Sequence, residues 1–314
     1  MRDITHKQIT LRKAKAIGIV FCKAETLQNI ESQQIEKGNV FEFARAAAFL
    51  GAKNTANLLP HCHPVTIDGL DISFEFINKE KHQDLFDESV LSRTGIVITG
   101  EGKSIGRTGI EMEVLTAVSV AALEIYDMLK PIDKNLEISG IRLLEKKGGK
   151  SDKKMPDNII CAVLVSSDSA ANGGREDVSG KLMKELLEKE GAFVKDYQIL
   201  PDDKEKLKQQ ILDWVAEDIP FIFTTGGTGL GPRDVTVEAV SEIIEKEAIG
   251  IAEAIRSYGQ MRTMTAMMSR AIVGSVKQTL IITLPGSPKG VQESLEAILP
   301  TVFHARLMLE GQGH

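Results

Sequence analysis

The stretch that most constrains this 314-residue chain is LEKKGGKSDKKMPDN, residues 144–158. It is rich in lysine, holds two glycines and a proline, and has almost no apolar side chains. Such a segment cannot bury surface and reads as a solvated connection. A chain interrupted in this way builds two cores rather than one, and its length suits two domains of ordinary size. The expected division is 1–150, a linker at 151–157, and 158–314. No internal repeat crosses the seam, so the two halves are different folds.

The halves also differ in rhythm. Before the seam, GNVFEFARAAAFLGAKNTANLLP reads as an alanine-rich helix stopped by Pro60. TIDGLDISFEFIN alternates like a strand with one buried face, and SVLSRTGIVITGEG reads as a second strand. A long helix from about Thr108 to Lys130 ends at Pro131, and LEISGIRLLE reads as a further strand. With an early strand before the first helix, the order is β-α-β-β-α-β, which predicts a ferredoxin-like α+β plait. After the seam, NIICAVLVSS, FVKDYQIL, PFIFTTGG and QTLIITLPG read as strands. Between them, DVSGKLMKELLEKEGA and DKEKLKQQILDWVAED read as helices. That alternation predicts a three-layer α/β domain whose mostly parallel sheet is covered on both faces. Ligands on such sheets sit beyond the carboxyl ends of the strands, where the glycine loops fall.

Composition removes several classes of function. The three cysteines, Cys22, Cys62 and Cys161, are far apart and form no C-x-x-C pair. A disulfide framework and a structural zinc are therefore not expected, and a reducing cytoplasm is. MRDITHKQITLRKAKAIG has no apolar core ahead of its charges, so no leader is expected. No run approaches the roughly 18 apolar residues of a membrane span. Residues 1–150 hold 20 basic and 20 acidic side chains, the remainder 18 and 24. Neither half has the basic excess of a general nucleic-acid binder. Small phosphorylated ligands remain possible, because they need only a few local cations.

Two strings invite chemical readings. FTTGGTGLGPRDVTVEA, residues 223–239, runs from a buried strand through Gly226, Gly227, Thr228 and Gly229 to Asp234 and a helix. Glycines let backbone N–H groups close around an anion, and a following helix dipole favours negative charge. Asp234 is placed to hold Mg²⁺ on a nucleotide; a tight turn with an N-cap aspartate is the plainer alternative. GGREDVSGKL and LLEKKGGKS imitate phosphate loops, but neither has a glycine at the right distance before its GK. The second string, NLLPHCHPV at 57–65, puts His61 and His63 on one face of an extended segment, as for a metal. No third ligand follows at zinc spacing, and Cys62 is expected to pack. On a helix Glu111 and Glu113 point about 200° apart, whereas Asp127 and Lys130 share a face. A surface ion pair is the plain reading of the latter two.

Taken together, KGNVFEFARAAAFLGAKNTANLLPHCHP, TGIEMEVLTAVSVAALEIYDMLK and IRLLEKKGGKS resemble cyclic pyranopterin monophosphate synthases over roughly residues 1–151. That resemblance implies ferredoxin-like protomers in hexamers, with sites between subunits. It implies a reaction converting a cyclised dihydroguanosine triphosphate to cyclic pyranopterin monophosphate with release of pyrophosphate. Carried over, Lys53, His63, Glu113, Asp127 and Lys130 are the catalytic candidates, with Glu111, Met112 and Lys146 as substrate-binding members. A triphosphate needs cations, and ring opening and closure need proton transfers by Asp127, Glu113 or a lysine of lowered pKa. Two positions depart from the family pattern. His61 replaces the usual apolar residue of PLCHP. Asn54 follows Lys53 where an arginine is more frequent, and Arg45 or Arg107 are candidates to replace its charge.

VSSDSAANGGREDVSG, LPDD, TTGGTGLGPRDVT, MMSR and LPGSPKG, in that order, resemble molybdopterin adenylyltransferases over about residues 158–310. The resemblance implies a commonly trimeric domain that adenylylates molybdopterin with ATP and Mg²⁺, without a bound redox cofactor. Carried over, Gly226, Gly227, Thr228 and Gly229 line the phosphate pocket, and Asp234 with Asp202 serve metal and nucleotide. Asp168, Ser179, Ser269, Pro285, Gly286 and Ser287 surround pterin or nucleotide. Asp202 has an alternative as a cap for the helix beginning near Asp203, and Ser269 and Arg270 one as a helix end. A domain that binds pterin without transfer is the rival reading of this half. The chain thus reads as a fusion of two enzymes of one pathway, and threefold symmetry makes a trimer or hexamer the expected assembly.

Overall fold

Twelve residues, Thr10–Phe21, form the first strand, β1. Helices α1 (Ala24–Glu31), α2 (Val40–Lys53) and α3 (Thr55–Leu58) lead to β2 (Gly69–Phe76). Two short helices, α4 (Lys79–His82) and α5 (Glu88–Leu91), precede β3 (Gly95–Gly106). The long helix α6 (Glu111–Leu129) and β4 (Glu137–Lys147) follow. These elements belong to the first of two compact units, Met1–Asp152 and Lys153–His314. The computed structural model describes residues 1–149 and 158–312, and the expected linker at 151–157 lies outside the described residues.

The four strands make an antiparallel sheet in the order β2-β3-β1-β4. With α2 and α6 as its main helices this is the β-α-β-β-α-β plait. Val114, Ala117, Val118, Ala121, Ile125 and Met128 recur at helical spacing on α6 and are buried against the sheet and α2. On α2, Val40, Ala44, Ala48 and Ala52 repeat every four residues, and their small size lets the two helices pack closely. Ile125 is fully buried. Ile125→Ala is expected to lower unfolding stability by about 2–5 kcal/mol, read as a fall in the urea midpoint with unchanged slope.

Three sequence expectations shift locally. The first helix breaks at Asn54, whose side-chain amide donates to the Leu50 carbonyl (2.9 Å), and restarts as α3. SVLSR is not strand: α5 closes there, and Val90 and Leu91 cover Ile17, Ile19 and Phe21 on the sheet's other face. Helix α6 begins at Glu111 rather than Thr108. Arg12 explains the delay, because its guanidinium takes the carbonyls of Gly106 (3.1 Å) and Arg107 (3.4 Å). The Arg107 carbonyl is thereby held by Arg12 instead of opening the helix.

In the second unit, β5 (Ile160–Ser166), α7 (Asp168–Ala171), α8 (Ser179–Lys189), β6 (Phe193–Leu200), α9 (Lys204–Ala216) and β7 (Phe221–Thr225) alternate. Helix α10 (Thr236–Ser241), β8 (Lys246–Glu247), α11 (Ile249–Gln260), β9 (Val273–Val276) and β10 (Thr279–Leu284) come next. The unit closes with α12 (Pro288–Ile298) and α13 (Ala305–Leu309). The sheet order is β6-β5-β7-β10-β9-β8; the first four strands are parallel neighbours, and β9 and β8 add an antiparallel edge.

Both faces of this sheet are covered. Val163, Phe223 and Ile282 pack under Met183 of α8 and Leu295 of α12, with the Phe303 ring edge-on to Phe221 at 5.2 Å. Leu164, Ile222 and Ile281 face Ile211 and Trp214 of α9. Alternate residues of one strand thus serve opposite layers, which is why the strands read as unbroken apolar runs. The carboxyl ends of β5, β6, β7 and β10 point the same way and gather the loops after Ser166, Leu200, Thr225 and Leu284. No described helix is long and apolar enough to cross a membrane.

Candidate active sites

The first unit's candidates fall into two groups on one helix. At the start of α6, Glu113 is 3% exposed, and the Cys62 thiol lies 3.7 Å from its Oε1. Its Oε2 is buried with no hydrogen-bond partner among the described residues. Burial raises the Glu113 carboxyl above the usual glutamate range, opposed by hydrogen bonds from its own backbone and Cys62. Burial, then the Glu113 charge, likewise raises the Cys62 thiol, which keeps it a neutral donor. Glu111 pairs with Lys146 of β4, and its charge also bears on both Glu113 and Cys62. His63 is half-buried; His61, Met112 and Lys53 are exposed.

The second group lies at the far end. Asp127 pairs with Lys130 and with Lys37, whose Nζ is 2.6 Å from Oδ2 and also donates to the Asp127 carbonyl (2.8 Å). Hydrogen bonds from Lys130 and then Lys37 hold the Asp127 carboxyl down at about 2. The same pair raises Lys130, so it is a cation rather than the lysine of lowered pKa that proton transfer invited. From Glu113 to Asp127 is fourteen residues of α6, about 21 Å at the helical rise. One copy of the chain therefore does not bring the five catalytic candidates together.

In the second unit the loop after β7 has the geometry of an anion cradle. Gly226 and Gly227 have φ of +92° and +64°, conformations that side chains resist. A Cβ on Gly226 would lie 2.2 Å from the Ser166 carbonyl oxygen, and one on Gly227 2.2 Å from Thr236 Oγ1. Asp234 braces the loop by accepting the Gly231 N–H (2.7 Å). It is not the N-cap of α10; Val235 holds that position without a side-chain bond. Arg270 clasps the loop from outside, its Nε on the Gly229 carbonyl (2.6 Å) and Nη2 on that of Asp234 (2.9 Å).

Beside this loop is a cavity of about 560 Å³, lined by Gly227, Thr228, Gly229, Asp234, Ser269, Pro285, Gly286 and Ser287 among others. A second cavity of about 210 Å³ is lined by Ser179, Gly226 and Gly286 together with Ser166, Arg175 and Asp177. Ser179 Oγ donates to the Gly286 carbonyl (2.7 Å), and Thr225 Oγ1 to that of Pro285 (2.8 Å), fixing the loop after β10 against the others. Asp168 and Asp202 sit at the strand ends nearby. Each accepts the other's backbone N–H, at 3.0 and 3.3 Å, and Asp202 also accepts from Ser166 Oγ (2.6 Å). The cap of α9 is Asp203, not Asp202. Arg233 reaches Asp168 at 3.5 Å.

The family models and relatives coincide with these two units. The MoaC family model matches residues 1–149, and the one described as a probable molybdopterin binding domain matches residues 162–304. A curated relative, the molybdenum cofactor biosynthesis bifunctional protein of Chlorobaculum tepidum, is 40% identical and covers 100% of this chain and 96% of its own. This chain belongs to the family of molybdenum cofactor biosynthesis bifunctional proteins. The protein of the same description from Synechococcus elongatus is 34% identical, over 100% of this chain and 98% of that one. A cyclic pyranopterin monophosphate synthase of Thermoanaerobacter is 45% identical over 48% of this chain and 87% of that protein. The crystal structure of MoaB from Thermus thermophilus is 39% identical, covering 49% of this chain and 97% of that one, with a TM-score of 0.47. The chain is a bifunctional enzyme of molybdenum cofactor biosynthesis, a MoaC domain joined to a MoaB/MogA-like one.

Sequence reasoning missed three participants. Lys37 stands three residues before α2, in a loop with no periodicity to mark it, and only its ion pair with Asp127 reveals it. Cys62 was expected to pack, yet it donates to the buried carboxylate. Arg270 is a clasp for the glycine loop rather than a plain helix end. Among the described residues no group of three or more His, Cys, Asp or Glu side chains is arranged to hold a metal ion, His61 to His63 included.

Proposed function

We propose that the first unit converts a cyclised dihydroguanosine triphosphate to cyclic pyranopterin monophosphate with release of pyrophosphate. The observation that carries this reading is the pairing of a buried carboxyl, one of its oxygens without a partner among the described residues, with a separate cationic cluster. Glu113, held above the usual range by burial, is the proton donor for ring opening. Lys37 and Lys130, gathered on Asp127, neutralise phosphate. Lys53, His63, Glu111, Met112 and Lys146 complete the lining, and no step changes the redox state of the pterin. The distance between the clusters means that Asp127 and Lys130 of one copy serve the Glu113 pocket of another. Exposed apolar side chains on the outer sides of α2 and α6, Phe43, Leu50 and Leu123, support such association. Mass measurement in solution is expected to give a trimer or hexamer; a stable monomer would rule out the shared site.

The second unit, in this proposal, transfers adenylate from ATP to the terminal phosphate of molybdopterin. A phosphate oxygen attacks the α-phosphorus and pyrophosphate leaves, so the protein needs no nucleophile of its own. Two polyanions must meet, and the amide donors of Gly227 to Gly229 offset their repulsion, the Gly226 N–H being taken by the Leu284 carbonyl (3.3 Å). The carboxylates of Asp234, which accepts one hydrogen bond, and Asp202, which accepts two, are oxygen donors of the kind that Mg²⁺ takes, with lone pairs to spare. Mg²⁺ binds by one or two carboxylates plus substrate phosphates, so two such residues fit it without a three-ligand cage. Bound there with ATP, it would supply charge neutralisation at the phosphates. Asp168, Ser179, Ser269 and the Pro285–Ser287 loop position pterin and nucleotide around it.

A further inference from the structure

Asn54 stands after Lys53, where the resemblance to the synthases leads one to expect an arginine. The structure separates the two candidates for its charge. Arg45 is occupied: it donates to the Ile72 carbonyl (3.2 Å), pairs with Glu42, and lies 5.6 Å from the Phe74 ring centre. Arg12 is spent on the carbonyls of Gln8, Gly106 and Arg107. Arg93 pairs with Glu137, and Arg142 donates to the Leu85 carbonyl. Arg107 differs from all four. Among the described residues its guanidinium has no hydrogen bond or ion pair, and its Nε is buried without a partner.

We propose that Arg107 is a substrate-binding residue that grips the phosphate chain at the Glu113 pocket, replacing the missing arginine. The inference rests on the synthase reading of this unit. Arg107 lies between Gly106, the last residue of β3, and the Thr108–Ile110 turn into α6. Glu111, one turn on, folds back over Gly109 toward Lys146 and leaves Arg107 unpaired. Arg12 fixes the Arg107 carbonyl, so the backbone that carries this side chain is held in place. A buried Nε–H without an acceptor is costly, and a phosphate oxygen removes that cost. The planar guanidinium fork matches phosphate in two-point contact, which a lysine does not.

The test uses the full chain and inorganic pyrophosphate, the leaving group itself, followed by calorimetry with the second unit's nucleotide site filled by ATP and as an inhibitor of pterin formation. Arg107→Ala is expected to weaken pyrophosphate binding and raise KM for the triphosphate by roughly 10- to 100-fold, the loss of a charged hydrogen bond. The turnover number is expected to change far less, because the contact is made in ground and transition state alike. Arg107→Lys is expected to fall between, keeping charge but losing the fork. Unchanged pyrophosphate affinity in Arg107→Ala overturns the inference. Should that variant fail to fold, an Arg107→Lys protein with wild-type affinity overturns it instead. If the wild-type chain binds pyrophosphate but does not turn over the triphosphate, the synthase reading falls, and the calorimetric comparison still decides Arg107.

Discussion

Glu113→Gln is expected to lower pterin formation by roughly 10²- to 10⁴-fold, the usual contribution of a positioned proton donor. Glutamine keeps the shape and the acceptor facing Cys62 but cannot give up a proton. The fold is expected to survive. Burial raises the Glu113 carboxyl, so its ionisation is disfavoured in the folded chain. Its stability contribution is fully present below the ordinary glutamate pKa and declines as pH rises above it. Glu113→Gln should therefore flatten that decline and leave thermal stability at neutral pH unchanged or raised. The same variant tests the shared site. Lys130→Ala lies at the other end of α6 and should also be inactive alone. Coexpressed, the two variants are expected to regain about a quarter of wild-type activity, because random pairing leaves that fraction of two-copy sites intact. No recovery would mean that Glu113 and Lys130 do not act across copies.

Asp234→Ala is expected to reduce adenylyl transfer by at least about 10²-fold, the scale of losing one preorganised electrostatic contact. Two effects combine in it. The Gly231 N–H loses its acceptor, which loosens the glycine loop, and the nucleotide's cation loses a carboxylate. Asp234→Asn separates them, since an amide oxygen still accepts from Gly231 but carries no charge. Steady-state assays over a range of Mg²⁺ should show the asparagine variant needing more metal at similar loop stability. Wild-type metal dependence in that variant would remove Asp234 from the cation site. Pterin formation by the first unit should be untouched in both.

The architecture was readable from the chain because it rests on periodicity. NIICAVLVSS and PFIFTTGG are unbroken apolar runs since Val163 and Leu164, or Phe223 and Ile222, serve opposite layers of one sheet. Local details failed where a distant side chain decides them. Arg12 sets where α6 begins by taking the Arg107 carbonyl, a contact across 95 residues. Lys37 meets Asp127 across 90 residues, and nothing near either one signals it. Four-residue helices such as α5 are too short to show a helical period, so SVLSR passed for strand. At the sites, the glycine loop was legible because positive φ demands glycine at Gly226 and Gly227. The separation of the first unit's candidates was also implicit in the sequence, as the spacing from Glu113 to Asp127 on one helix. The brace that Asp234 gives to Gly231 was not, because the same carboxylate reads equally well as a helix cap.

The central claim is that one chain carries two chemically independent sites. The direct measurement assays wild type, Glu113→Gln and Asp234→Ala for both products, one set supplied with the cyclised triphosphate and the other with molybdopterin, ATP and Mg²⁺. Wild type should form both products, Glu113→Gln only adenylylated molybdopterin, and Asp234→Ala only the cyclic pyranopterin. A wild-type chain that leaves either substrate unchanged, or a single variant that silences both reactions while folded, would contradict it.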